Sequence, residues 1–168
     1  MTNVKTLNVA TPSDTEIVMM RMFDAPRGLV FDAYTKPAML RGWLGGADWT
    51  IDGCEVDLRI GGTYRWSWRN AKGKQLVERG TYREIVSGVR IVAISAIDEP
   101  RYPGQTVETI AFASQGDATV LTTTLRYDTR EARDIALGAG LTRGVTESYE
   151  RLDAVLAASA HAESRRAG

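Results

Sequence analysis

The segment 54-CEVDLRIGGTYRWSW-68 decides how the chain is read, because its apolar residues recur every second position. Before Gly61-Gly62 the apolar set is Cys54, Val56, Leu58 and Ile60; after it the set is Tyr64, Trp66 and Trp68. Residues two apart on a strand share a face, so the segment predicts two strands meeting at a glycine turn. Three large rings on one strand face are more than an ordinary small sheet needs. They fill a core, or they line a place where something else binds.

The same period runs downstream and predicts strands near 50–60, 63–69, 75–86, 89–97, 105–114 and 118–127. The connectors "NAKGK", "VSGV", "DEPRYPG" and "SQGDA" place Gly, Pro, Asn or Asp where turns need them. Short connectors between successive strands imply an antiparallel meander. Upstream, "TEIVMMRMF" (Thr15–Phe23) is strand-like, with Ile17, Met19 and Phe23 in one alternating set. Pro26 and Pro37 then open two short helices, the first with the stripe Val30, Phe31, Tyr34 and the second ended by Gly45-Gly46.

The final segment is helical, with Leu141, Val145, Leu152, Val155 and Leu156 close to one face and Ser148 between them. Gly138 and Gly140 predict a break before a long helix. A sheet with one apolar face needs a cover, and only this helix is long enough. The order predicts an α+β fold: a curved antiparallel sheet wrapped around a long C-terminal helix, with two short helices after the first strand. Residues 1–14 are expected to be a flexible lead-in, 15–158 a single domain and 159–168 a frayed tail.

At 168 residues the chain is long enough to bury a core without staples. Lys and Arg total 21, as do Asp and Glu, so no basic field points to nucleic acid. The longest apolar run, "IVAISAI", is too short to cross a bilayer, so no membrane insertion is expected. Cys54 is the only cysteine and cannot form an internal disulfide, which makes a cytoplasmic setting the default.

The strings "RMFDAPRGLVFDAYTKPAMLRGWLG", "CEVDLRIGGTYRWSW", "GTYREIV" and "LTRGVTESYERLDAVL" resemble the START-like SRPBCC superfamily, whose fold is called helix-grip. Within it they are most similar to the family named after the activator of heat-shock protein 90 ATPase. The resemblance spans most of the chain from Arg21 to Leu156. It implies a cavity between the long helix and the sheet. It implies no catalytic residue, since the superfamily's binders, cyclases and chaperone activators share no catalytic motif.

Several chemistries are set aside on composition. The only histidine, His161, lies in the expected tail, far from Cys54, which argues against a Ser-His-Asp triad, a Cys-His pair or a structural zinc site. "GAGLTRG" has Arg143 where a dinucleotide fingerprint needs its third Gly. No metal and no cofactor are expected.

The candidate ligand-binding residues are Trp43, Tyr64, Trp66, Trp68, Tyr82, Glu108, Ile110, Phe112, Gly144 and Ser148. Tyr O–H and Trp N–H groups could orient a ligand that the rings enclose. Gly140, Gly144 and Ser148 leave room on the helix, unless the glycines mark close helix–sheet contact. In "TVETIAF", Ile110 and Phe112 should face the helix, and period two then turns Glu108 inward. Three roles stay open for Glu108: a rim position in water, an ion pair with Arg65, Arg69 or Arg126, or a general acid or base with a raised pKa.

The leading expectation is a protein that binds an apolar or aromatic small molecule. An enzyme of the cyclase or hydrolase kind using the same cavity is the first alternative. A chaperone-binding module is the second, and an exposed strand edge would permit a homodimer.

Overall fold

The structure is a computed structural model that describes residues 5–46, 48–98 and 102–168 of the 168-residue chain. In chain order the elements are β1 (Asn8–Ala10), β2 (Glu16–Phe23), α1 (Arg27–Thr35), α2 (Pro37–Leu40), β3 (Trp49–Val56), β4 (Thr63–Asn70), β5 (Gln75–Val86) and β6 (Arg90–Ile97), followed by β7 (Thr106–Gln115), β8 (Ala118–Tyr127), α3 (Arg130–Gly138) and α4 (Leu141–Arg166). The strands form one antiparallel sheet in the order β1-β2-β8-β7-β6-β5-β4-β3. The meander β3 to β8 therefore returns to the amino-terminal strand, and α4 packs against the inner face. This is the helix-grip arrangement expected from the sequence.

Helix α4 is held through its middle. Tyr149, Leu152 and Leu156, spaced three and four apart, are its buried side chains and enter the main core with Phe23, Val30, Leu40 and Leu121. The Phe23 and Tyr149 rings meet edge to face with centroids 5.2 Å apart. Arg21, in phase with Met19 and Phe23 on β2, ties the helix from the other side. Its guanidinium lies 4.6 Å above the Phe23 ring, donates to the Tyr149 carbonyl at 3.0 Å and pairs with Asp153 at 2.5 Å. A second cluster, containing Ile17, Met19, Tyr127, Ala132 and Ala136, sits under α3. The break between α3 and α4 falls at Gly140, whose φ of +87° suits glycine.

Three expectations need correction. The lead-in carries a strand, β1, whose Asn8–Ala10 pair with Met20–Val18; residues 1–4 lie outside the described residues. The tail does not fray at 159, because α4 continues to Arg166, fully on the surface. Strand β3 stops at Val56 rather than near 60, and Leu58 and Ile60 are exposed.

The cause of the last is local. Asp57 N–H donates to Thr63 O, and Gly62 N–H donates to Arg59 O, folding 57–62 into a connector that leaves the strand plane. A register shift between Ile51 and Gly53 lets Ile51, Cys54 and Val56 all pair with the ring-bearing positions Trp68, Trp66 and Tyr64. The sheet's two edges are thus a three-residue strand and a bulged one, both poor templates for further pairing. Among the connectors, residues 99–101 of "DEPRYPG" lie outside the described residues.

The anchoring role of the α4 stripe gives a measurable contrast. Leu152→Ala, at a site with no exposed surface, should lower unfolding free energy by about 2–5 kcal/mol. Glu163→Ala in the exposed last turns should change it by no more than about 0.5 kcal/mol. Urea unfolding of the two variants checks both values.

Candidate functional site

In the amino-terminal half of α4, Leu141 and Val145 are only partly buried against the two core clusters, whereas Tyr149, Leu152 and Leu156 are buried. An added Cβ at Gly138, Gly140 or Gly144 would meet no atom within 4 Å, so these glycines do not mark close helix–sheet contact. Between this half-helix, the inner faces of β4 to β8 and the α1–α2 region lies a cavity of about 390 Å³. That volume falls within the ~300–1,000 Å³ usual for small-molecule sites.

Most of the walls are aromatic. Trp43 follows α2 and is fixed by donating its indole N–H to the Ala33 carbonyl at 2.9 Å. Tyr64 and Trp66 stack on β4 with centroids 4.6 Å apart and planes 20° from parallel, and the Tyr82 ring on β5 lies 5.3 Å from Tyr64. Gly80, which pairs with Tyr64, permits this arrangement, because a Cβ there would collide with the Tyr64 ring. Ser148 on α4 donates to the Gly45 carbonyl at 3.0 Å, and Arg151 donates to Gly46 O at 3.0 Å. Both bonds clip the α2–β3 loop to the helix at the cavity's border.

Of the residues singled out in the sequence, Trp43, Tyr64, Trp66, Trp68, Tyr82, Glu108, Ile110, Gly144 and Ser148 all line this cavity. Phe112 does not. It is buried two positions along β7, under α1, with its ring 5.4 Å from Phe31 and 5.6 Å from Tyr34. Period two places it on the correct face, but helix α1 covers that end of the strand.

Glu108 stands at the third position of β7. It is half-buried and faces the cavity, and no ion pair forms between it and Arg65, Arg69 or Arg126. Arg69 pairs with Asp52 at 3.1 Å instead, and Arg65 approaches Ser67 Oγ at 3.4 Å. Cys54 is buried, and burial pushes its thiol pKa up, in keeping with a packed rather than reactive thiol.

Glu78 is the principal residue that sequence reading missed. It lies on β5 in phase with Gly80 and Tyr82, so the alternation that turned Tyr82 inward also marks Glu78. The Tyr64 hydroxyl donates to its Oε1 at 3.4 Å. Tyr34 and Tyr149, also missed, close the far wall, the Tyr34 hydroxyl donating to that of Tyr149 at 3.0 Å. Thr123 Oγ1 lies buried beside this hydroxyl pair without a hydrogen bond of good geometry, although its position still lowers the tyrosine pKa values slightly.

The electrostatics follow from burial. Loss of water pushes Glu78 up to about 8, with the Glu108 charge adding to the rise and the Tyr64 hydroxyl opposing it. Burial pushes Glu108 up to about 7. Two carboxyls that interact this way titrate as a pair, with steps that belong to both. Near neutral pH such a pair can hold one proton and one charge within the same cavity. Tyr34, Tyr64, Tyr82, Tyr127 and Tyr149 are all raised above their usual value, chiefly by burial, and stay neutral.

A family model described as activator of Hsp90 ATPase homolog 1-like protein matches residues 24–157. Among solved structures, a protein from Rhodobacter sphaeroides is 27% identical, with a TM-score of 0.86 over 91% of this chain and 99% of its own. One from Nitrosomonas europaea is 22% identical, with a TM-score of 0.81 over 90% and 99%. A Silicibacter pomeroyi protein that carries the family's name is 17% identical, with a TM-score of 0.68 over 86% and 99%. The last two likenesses speak for the fold alone. No curated protein matches the chain significantly.

The raised carboxyls set a pH dependence of stability. Between the ordinary value of 4.5 and about 8 the folded protein holds more protons at Glu78 and Glu108 than the unfolded chain does, so their contribution falls as pH rises. Allowing for water in the cavity, Glu78→Gln should be more stable than the parent by about 1–3 kcal/mol near pH 8 and nearly equal to it near pH 4. Urea unfolding at both pH values is the check; parallel stability curves would mean that Glu78 is solvated.

Proposed function

The chain belongs to the activator of Hsp90 ATPase homolog 1-like family, and we propose that it is a receptor for an apolar or aromatic small molecule held between α4 and the sheet. The observation that carries this reading is the open volume beside Gly144, faced by Trp66, Trp68, Tyr64 and Tyr82. Rings of that size ordinarily pack against aliphatic side chains. Here the opposite helix face sets Gly144 and Ser148 between Leu141 and Val145, which leaves room beside the rings for a guest. Affinity comes from burial of the guest's apolar surface at roughly 25 cal/mol per Å² before the costs of association are subtracted. Tyr and Trp polar tips set its orientation.

A second reading has one observation in its favour. The Glu78–Glu108 pair gives the cavity a proton donor and acceptor near neutral pH, which an acid–base enzyme of the cyclase or hydrolase kind needs. Positioning in the cavity would supply the remaining rate enhancement. Glu108→Gln leaving turnover of a bound substrate intact would remove this version.

The receptor reading is tested by filling the space. Gly144→Leu adds a side chain where an added Cβ meets nothing, and it replaces a poor helix former at a gain of about 0.8 kcal/mol. Its melting temperature should be unchanged or raised by about 2–4 °C. Tryptophan fluorescence and thermal shift against lipids, flavonoids, polyketide-like aromatics and steroids should give a saturable response in the parent. The variant should weaken that response at least about tenfold, a difference of about 1.4 kcal/mol. Equal affinity in the two proteins would place the guest elsewhere.

A further inference from the structure

Among the described residues lining the cavity, the ionisable groups other than tyrosines are Glu78 and Glu108, and none is Lys, Arg or His. Buried carboxylates in folded proteins are ordinarily paired with a cation or saturated with hydrogen bonds. Glu78 has one long bond from the Tyr64 hydroxyl, and no hydrogen bond or ion pair is made by Glu108 among the described residues. The pair is therefore under-compensated among the described residues. The aromatic walls have the complementary property: their ring faces attract cations, Trp most strongly.

The geometry points to a small organic cation as the ligand of this cavity, an ammonium on an aromatic or alkyl body, with the nitrogen between Glu78 and Glu108 and the body against Trp66 and Trp68. This rests on the receptor reading above and narrows it to a chemical class. Thr123 Oγ1, on a residue 3% exposed, adds a buried polar group to the cavity wall beside the Tyr34–Tyr149 hydroxyl pair. A divalent metal fits less well. No group of three His, Cys, Asp or Glu converges among the described residues, and a hard cation would have to exchange water for aromatic carbon.

The charge balance makes the inference testable by pH. The titratable groups facing the pair are Tyr64 on β4, Tyr82 on β5, Tyr127 on β8, Tyr34 on α1, Tyr149 on α4 and Tyr102 before β7. Burial raises Tyr34, Tyr64, Tyr82, Tyr127 and Tyr149, so among these groups the carboxyls are the ones that change charge between about pH 6 and about pH 8. A cation binds the ionised pair and releases the proton it held. A neutral ligand that accepts a hydrogen bond would bind the protonated pair and show the opposite trend.

The experiment is isothermal titration of the full chain with phenethylamine, naphthylmethylamine and dodecylamine, each beside the alcohol of the same skeleton, near pH 6, 7 and 8. At least one amine should bind at least about tenfold tighter than its alcohol near pH 8, with affinity rising by up to about tenfold per pH unit. The double variant Glu78→Gln/Glu108→Gln should bring that amine down to its alcohol and abolish the rise of its affinity with pH. Alcohols that bind as well as amines, in a manner blocked by Gly144→Leu, would overturn the cation inference and leave the receptor reading standing. Binding by Mg²⁺ or Ca²⁺ alone would overturn it in favour of an inorganic ion. No binding in either series would overturn both readings.

Discussion

The structure depends on where α4 is pressed against the sheet and where it is not. Tyr149, Leu152 and Leu156 carry its buried surface, and Arg21 fixes that stretch from β2 through the Phe23 ring, the Tyr149 carbonyl and Asp153. One turn earlier the same helix presents Ser148 and Gly144, which have no side chain long enough to reach the strands. With no side chain there to fill it, the space between this turn and the strands remains as a cavity. The ring-bearing strand β4 faces it.

The carboxyl pair is a consequence of the same arrangement. Glu78 and Glu108 stand on β5 and β7, separated in the sheet by β6, where Glu78 pairs with Ile97, Glu108 pairs with Ala93, and the small Ser95 lies between them. Desolvation raises both groups, and their mutual repulsion adds to the rise at Glu78. Charge, aromatic walls and open volume thus meet in one place, while the described ion pairs lie mostly on the outside of the molecule.

Much of this was readable in advance, for identifiable reasons. Period two is a property of the backbone, so the alternation in "CEVDLRIGGTYRWSW" and "TVETIAF" set the facing of Tyr64, Trp66, Trp68, Glu108 and Ile110 without knowledge of the partner strands. Glycine tolerates positive φ, so the α3–α4 break at Gly140 was equally local. Glu78 was legible by the same rule from Tyr82, but "QLVERGTYREIV" mixes charge on both faces and hides the inward set. Leu58 and Ile60 misled because alternation continues past Val56 on paper while the backbone turns out of the sheet.

By itself, then, the sequence determined the element order, the facing of most inward residues and the small size of the helix side chains opposite the rings, since each depends on local geometry or residue volume. Tertiary structure alone decided that β8 closes against β2, that α1 covers Phe112 and removes it from the cavity, and that among the described residues no arginine pairs with Glu108. Those outcomes depend on which distant segments meet, and no local period records them. The pairing of Glu78 with Glu108 is of this kind: two residues thirty positions apart, on strands that do not touch, share an environment only because the sheet curves around one helix.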